Sequence, residues 1–245
     1  MLEAQSYTLH RRSRAEQIAS RLGRLGRLTE GDAAHLLEQM PNLEVLPAGR
    51  DLAPEDGVGA RAGLLLSGWA CRQRLLPDGR RQIIDLLMPG DFVGMAPGAP
   101  LQSTWTVCLT RVEFADGEAL RRSMADQPEA HPAARQVFAA LARLEQVRLL
   151  DHVVRLGRQT AYERVAHLLL ELYERARLLG DADGGRFSLP LTQEVLADAL
   201  GLSVVHVNRV LQQLRRDGYV ELRTGQARLL NLSALTRLCD FTPSV

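Results

Sequence analysis

Lysine is missing altogether: every one of the 30 basic residues in this 245-residue chain is an arginine. An absence spread over the whole chain reflects compositional bias and marks no site. Cysteine is scarce, and Cys71, Cys108 and Cys239 stand alone and odd in number. They offer no paired spacing for zinc or an iron–sulfur cluster and no disulfide framework. Each reads as a small buried hydrophobe, and no metal or other cofactor is expected. Long apolar runs are lacking too. No stretch approaches the roughly 18 residues of a membrane span. No apolar run of signal-peptide length accompanies the N-terminal arginines (Arg11, Arg12, Arg14, Arg21, Arg24 and Arg27), so an amphipathic helix is expected there. The reading is a cytoplasmic protein with no membrane partner. An excess of either charge is also absent, the formal net charge being +1, which argues against indiscriminate binding to nucleic acid.

What is present is most legible between Leu191 and Leu222. Two short helical patterns flank a glycine. Thr192 is a good N-cap, and Glu194 in the first turn suits the positive end of the helix dipole. Gly201 supplies the positive φ that ends the first helix, and Ser203 caps the second. Ala197 keeps the first helix slim where the second crosses it. Val207, Val210, Leu211 and Leu214 recur at helical spacing and predict a buried stripe. That combination predicts a helix-turn-helix, whose second helix enters the major groove of double-stranded DNA. At about 100° per residue, Val205, Arg209, Gln212 and Arg216 face away from the stripe, with Asn208 and Gln213 beside them. Arginine contacts guanine, Gln or Asn contacts adenine, and a further arginine holds a phosphate. Thr192, Ser203, Val204 and His206 complete the expected contact set, His206 through a phosphate. The alternative is a solvated face on an ordinary helical hairpin. Val220–Leu222 and Ala227–Leu230 around Thr224-Gly225-Gln226 predict a β-hairpin wing, and Ser203–Arg228 carries five arginines against Asp217 and Glu221.

Upstream, Arg14–Leu25 and Thr29–Met40 read as helices. From Leu43 to Phe114 the apolar runs are short: Val45-Leu46, Leu64–Leu66, Trp69–Leu75, Gln82–Leu87, Phe92-Val93, Trp105–Leu109 and Arg111–Phe114. Turns such as Pro77-Asp78-Gly79 and Pro89-Gly90-Asp91 separate them, which predicts an antiparallel sandwich or jelly roll. A short helical piece follows over Asp116–Arg122. Ala133–Leu156 then holds neither Gly nor Pro and predicts a helix of about 36 Å. Val137, Leu141, Leu144, Val147 and Val154 form its apolar line, expected to pair with a second copy. Gly157 reads as a hinge, Gln159–Leu179 as another amphipathic helix, and Gly180–Gly185 as a loop. Ser233–Cys239 reads as a closing helix capped by Ser233.

Jelly rolls also house metal enzymes of the cupin type, which need histidine and carboxylate ligands converging inside the barrel. The six histidines are His10, His35, His131, His152, His167 and His206, and none falls between Pro41 and Phe114. No nucleophile elbow surrounds any serine, and no Gly-rich phosphate loop appears. The chain reads as a non-enzyme. His152, in the long helix, reads as packed or solvated, or as a pH-responsive dimer contact.

The order of roll, long helix and winged helix-turn-helix resembles the Crp–Fnr family of bacterial transcription regulators over nearly the whole length. Leu64-Leu65-Leu66-Ser67-Gly68, Leu76–Gln82 and Pro89–Gly94 match the roll. Leu191–Arg209 with Asp217-Gly218 matches the DNA-binding motif. The implied fold is α+β: an N-terminal double-stranded β-helix (jelly roll) within residues 1–132, a dimerisation helix and hinge over 133–157, and a winged helix-turn-helix over 158–245. The implied activity is transcription regulation by a homodimer on an inverted-repeat operator, with RNA polymerase as partner and a small-molecule effector received by the roll. By analogy of fold, Arg72, Arg81, Trp105 and Arg135 would bound that effector pocket. Three departures stand out. Gly94–Trp105 has no charged residue, where cyclic-nucleotide binders carry a glutamate for ribose and an arginine for phosphate. The N-terminal cysteines of iron–sulfur members are absent. At the recognition helix, Val204 and Val205 stand where the family's usual Arg and Glu stand, while Arg209 keeps the guanine-reading position. An operator core that differs from the usual family site, with apolar contact at Val205, is the expectation.

Overall fold

The computed structural model describes residue 14 and residues 16–24, 29–54, 61–95 and 104–243. The expected helix contributions of Arg11, Arg12, Leu25 and Arg27, and most of Gly94–Trp105, lie outside those residues. The chain divides into two compact units, Met1–Cys71 with Leu87–Leu144, and Arg72–Leu86 with Glu145–Val245.

The first unit opens with helix α1 over residues 16–24 and α2 over Glu30–Glu38. The Thr29 hydroxyl accepts from the Asp32 N–H at 3.2 Å and so starts α2 as its sequence predicts. Ile18 and Leu22, one turn apart, are fully buried, and Arg21 beside them lies 3.6 Å from the Asp91 carboxylate. Along the chain the strands are Leu43–Leu46 (β1), Asp51–Pro54 (β2), Gly63–Ser67 (β3), Ala70–Leu75 (β4), Arg81–Leu87 (β5), Phe92–Val93 (β6), Trp105–Cys108 (β7) and Val112–Asp116 (β8), of which most of β4 and β5 falls to the second unit. β2 was not expected. One antiparallel sheet has the order β1-β8-β3-β6, and β2 pairs antiparallel with β7. Leu46, Leu52, Leu65, Ala70, Leu87, Val93, Cys108, Val112 and Phe114 form the core of this α+β roll. Asp91 fixes the turn before β6. Its carboxylate accepts from the Met88 N–H at 2.8 Å, and Gly90, at φ +84°, donates to the Leu65 carbonyl at 2.7 Å.

Helix α3 (Glu118–Asp126) and a 3-10 turn at Pro128–Ala130 lead into α4, Pro132–Arg158. Gly157, expected to mark a hinge, lies within α4 one residue from its end, where nothing approaches within 4 Å of a Cβ built on it. The break falls at Gln159-Thr160, because Thr160 starts the next helix, α5 (Ala161–Leu178). Its hydroxyl accepts from the Glu163 N–H, and the Glu163 carboxylate accepts from the Thr160 N–H, a reciprocal capping box.

In the second unit α5 buries Val165, Leu168, Leu169, Leu172 and Tyr173. The predicted loop after it is a hairpin, Ala182–Asp183 (β9) and Arg186–Ser188 (β10), turned by Gly184 and Gly185 at φ +53° and +80°. Helices α6 (Gln193–Leu200) and α7 (Val204–Arg216) come next, then Val220–Arg223 (β11) and Gln226–Leu229 (β12). The wing therefore turns on two residues, Thr224-Gly225, and belongs to a four-stranded sheet ordered β11-β12-β10-β9. Gly185 is required there, since a Cβ would stand 2.2 Å from the Leu229 carbonyl oxygen. The closing helix α8 spans Leu232–Cys239, and its cap is Asn231, not Ser233. The Asn231 Oδ1 accepts from the Ala234 N–H at 3.0 Å, and Ser233 donates to that same oxygen. The three cysteines are free and buried, and burial pushes the Cys239 thiol up to about 11. Among the described residues no helix is long and apolar enough to cross a membrane.

Candidate nucleic-acid interface

The local chemistry of the helix-turn-helix is carried by three residues in sequence. The Thr192 hydroxyl accepts from the Val195 N–H at 3.2 Å, satisfying a donor that helix geometry leaves unpaired. Gly201 closes α6 in the left-handed region, φ +62° and ψ +37°. The Ser203 hydroxyl then accepts from the His206 N–H at 3.2 Å and starts α7. Ala197, 3 % exposed, lets α7 cross α6 closely, and its carbonyl accepts from the Leu202 N–H. Val207, Val210, Leu211 and Leu214 are all buried. Burial of such a side chain contributes roughly 1.5–3 kcal/mol, so the stripe locks α7 in one rotation about its axis.

With that rotation fixed, the opposite face is fixed too. Val205 is 79 % exposed and Val204 43 %; Asn208, Arg209, Gln212 and Arg216 are exposed and His206 is half-buried. Gln212 donates to the Asn208 side-chain oxygen at 3.2 Å, which holds the two amides in one orientation. Arg216 donates to Gln213 at 2.6 Å. Arg209 has no hydrogen bond or ion pair with any described residue, so its guanidinium donors are all available to a ligand. At the far end Asp217 accepts from the Tyr162 hydroxyl at 2.6 Å and from Gln213 at 2.8 Å, and these two donors hold its carboxyl below the usual range. Arg215 donates to the Leu222 carbonyl at 2.8 Å and ties α7 to the wing. Between α6, α7 and the wing lies a cavity of about 310 Å³, lined in part by Thr192, Asn208, Arg215, Arg223 and Gln226. Arg215 and Arg223 were not singled out in the sequence, although their place in the arginine-rich run marked them.

Behind this surface sits a buried ionic cluster. Arg148 on α4 donates to Asp85 on β5 at 3.2 Å, and Arg175 on α5 lies 3.8 Å from the same carboxylate. Arg155 donates to Glu171 and, at 2.9 Å, to the unprotonated Nδ1 of His167. Burial, and secondly the charge of Arg155, lowers the His167 imidazole to about 4. His152 is 9 % exposed and shifted downward by the same two causes, as a packed residue is. Arg164 donates to the carbonyls of Gln159 and Leu200, joining the start of α5 to the end of α6.

The residues expected at a dimer seam do not share one environment. Val137 is 0 % exposed in the single chain, so it has no surface to offer a second copy. Leu141 and Leu144 are half-buried, while Val147 is 39 % and Val154 54 % exposed. Leu150 at 58 % and Val153 at 60 % belong to the exposed face and were missed. Leu150 lies three residues after Val147 and three and four before Val153 and Val154, and that spacing was the available signal. The residues expected at an effector pocket are mostly committed elsewhere. Arg72 binds Glu145, Arg81 binds Asp198 at 2.6 Å, and Arg135 lies 3.2 Å from Glu129; Trp105 is half-buried on β7.

Residues 163–238 match the model of a Crp-like helix-turn-helix domain. The chain is 32 % identical over 208 residues to the nitrogen fixation regulation protein FixK of Bradyrhizobium diazoefficiens, a match covering 82 % of this chain and 84 % of that one. It is 35 % identical over 187 residues to the transcriptional activatory protein AadR of Rhodopseudomonas palustris, covering 74 % of each. The solved structure of FixK2 from Bradyrhizobium japonicum superposes with a TM-score of 0.68 at 28 % identity, over 80 % of this chain and 96 % of that one.

Proposed function

The chain belongs to the Crp–Fnr family of DNA-binding transcription regulators, and on that footing we propose that it acts as a homodimer on an inverted-repeat operator. The observation that carries this reading is the outer row of α7. Arg209 stands free of any described partner in the middle of an exposed line of Val205, Asn208, Gln212 and Arg216, on a helix whose rotation is locked from behind. Arg209 offers a bidentate pair of donors to guanine O6 and N7, and the Asn208–Gln212 pair offers amide groups to adenine. Arg216, with Thr192, Ser203 and His206 at the helix starts, positions the unit on phosphates.

The homodimer reading rests on Val147, Leu150, Val153 and Val154, an apolar strip on α4 left uncovered in one copy. Two copies joined there place two α7 helices on half-sites about 34–36 Å apart. In this reading the regulator works on chromosomal DNA in the cytoplasm, contacts RNA polymerase, performs no catalytic step, and is modulated by a small-molecule effector received by the roll. Cyclic nucleotides are the weaker effector class, since Arg72, Arg81 and Arg135 already hold carboxylates.

Selection from a random duplex library tests the core of the proposal. Wild type is expected to enrich a two-fold symmetric site. Arg209→Ala is expected to lose about 1–3 kcal/mol of discrimination at one base pair per half-site. Binding is expected to weaken steeply and linearly in log salt. Enrichment of no site, with a monomer in sedimentation, overturns it.

A further inference from the structure

We infer that Val205 reads a thymine through its 5-methyl group, close to the guanine taken by Arg209; the inference rests on the DNA-binding reading above. Val205 is 79 % exposed in the first turn of a 13-residue helix, and Val204 beside it is 43 % exposed. The helix has already buried its own apolar stripe through Val207, Val210, Leu211 and Leu214, so neither valine is needed for packing. Nor does helix formation favour them, since β-branched side chains rank well below Ala, Glu or Lys at a solvent-facing helix position. The polar row beside them is charged or amide-bearing, which suits a nucleic acid and not an apolar protein surface.

Position then narrows the chemistry. Val205 and Arg209 are four residues apart, on one face, and about 6 Å apart along the helix axis. Base pairs rise about 3.4 Å each. A group contacted by Val205 therefore lies within about two base pairs of the guanine held by Arg209. On the edges exposed in the major groove, the thymine methyl is the apolar group on offer; the other sites are donors and acceptors. A carboxylate at this position accepts from the cytosine N4 amino group. Valine has no acceptor, and above a cytosine it would leave that amino group desolvated and unpaired. The same helix geometry thus favours thymine over cytosine at one position of each half-site.

The test uses the full chain and the site it selects. Each thymine in that site is replaced in turn by 2′-deoxyuridine, which removes the methyl and nothing else, and affinity is read by fluorescence anisotropy. One thymine per half-site, within two base pairs of the invariant guanine, is expected to lose about fourfold on replacement. Replacing both is expected to cost about fifteenfold. Val205→Ser is expected to bind the thymine and deoxyuridine duplexes alike, and Val205→Glu to enrich cytosine at that position. Both changes lie at an exposed position, and a thermal melt checks that the fold is kept. If wild type binds its site specifically but every deoxyuridine duplex binds as well as the parent, the methyl contact is wrong and the DNA reading stands. Enrichment of the same site by Val205→Glu overturns the inference equally. If wild type selects no site at all, the DNA reading itself has failed.

Discussion

Glu171 is the residue at which a single change should do most damage without touching a proposed ligand. It lies on α5 with its side chain 13 % exposed, bound to Arg155 and 3.5 Å from Arg175. Burial by itself would raise its pKa, yet Arg155 and then Arg175 more than offset that and hold the carboxyl below its ordinary range. Glu171→Gln keeps the shape and removes the charge. Arg155, 3 % exposed, then retains only His167 as a hydrogen-bond partner, and Arg175 retains Asp85 at 3.8 Å among the contacts described above. Breaking one side of a buried pair costs about 3–5 kcal/mol, about a fifth or more of the roughly 5–15 kcal/mol that keeps a domain folded. At about 2–4 °C per kcal/mol for a chain of this size, the melting temperature should fall by roughly 6–20 °C. Far-UV circular dichroism and calorimetry are the suitable probes. Both tryptophans, Trp69 and Trp105, lie in the first unit, so their fluorescence reports on the other part of the molecule. Glu174→Gln is the control: its partner Arg177 is 51 % exposed, and such surface pairs contribute about 0–1 kcal/mol. A Glu171→Gln protein that melts together with the control refutes the argument that this cluster holds α4 and α5 in place.

The same cluster predicts an acid weakness in a defined window. An unfolded chain protonates His167 near the ordinary 6.5, whereas the folded chain waits until about 4. The unfolded state thus binds more protons in that interval, and stability falls as pH drops from about 6.5 toward 4, by on the order of 3 kcal/mol. Melting at about pH 7.5 and about pH 5 should show this drop in wild type and a smaller one in His167→Gln; equal drops would exclude His167 as the source. For the dimer, Leu150→Glu places a charge in the seam at a position 58 % exposed in one copy. Sedimentation should then show monomer where wild type is dimer, with unchanged circular dichroism. A dimer that survives this change would place the interface elsewhere.

Sequence chemistry was most legible where a function is discharged within three or four residues. Thr192, Gly201 and Ser203 each satisfy or release a backbone group next to themselves, so their roles could be read without the rest of the molecule. The strands of the roll were nearly as clear, since turns such as Pro89-Gly90-Asp91 delimit them. β2 was not, because Asp51–Pro54 has neither alternation nor β-rich composition and is a strand by virtue of its pairing with β7. The β9–β10 hairpin was missed for a different reason. Its strands are only two and three residues long, and the informative residues are the turn itself, Asp183-Gly184-Gly185-Arg186, where both glycines take positive φ. The ionic cluster was invisible for want of range: Arg148 resembles a solvated flank until Asp85, 63 residues earlier, is brought against it.

The long helix shows most plainly how a periodic pattern misleads. Val137, Leu141, Leu144, Val147 and Val154 invite reading as one line, but at about 100° per residue Val147 and Val154 have drifted some 80–100° from Val137. The direction that Val137 defines is continued by Arg148, at eleven residues, and by Arg155, at eighteen, which is five whole turns at about 3.6 residues each. That side stays inward along α4: Val137 and Phe138 are buried, Phe138 meeting Phe92 edge-to-face at 5.0 Å, and His152 and Arg155 are buried further on. Its lining changes from apolar to ionic on the way, so hydrophobicity alone loses the trail. The exposed strip of Val147, Leu150, Val153 and Val154 lies to one side of that direction and reaches round to the far face. A helix that faced only solvent beyond Leu144 would have polar residues there, and one that faced only its own chain would have buried them. Inward arginines with outward aliphatics, in the same two to three turns, fit a helix with a partner on each side.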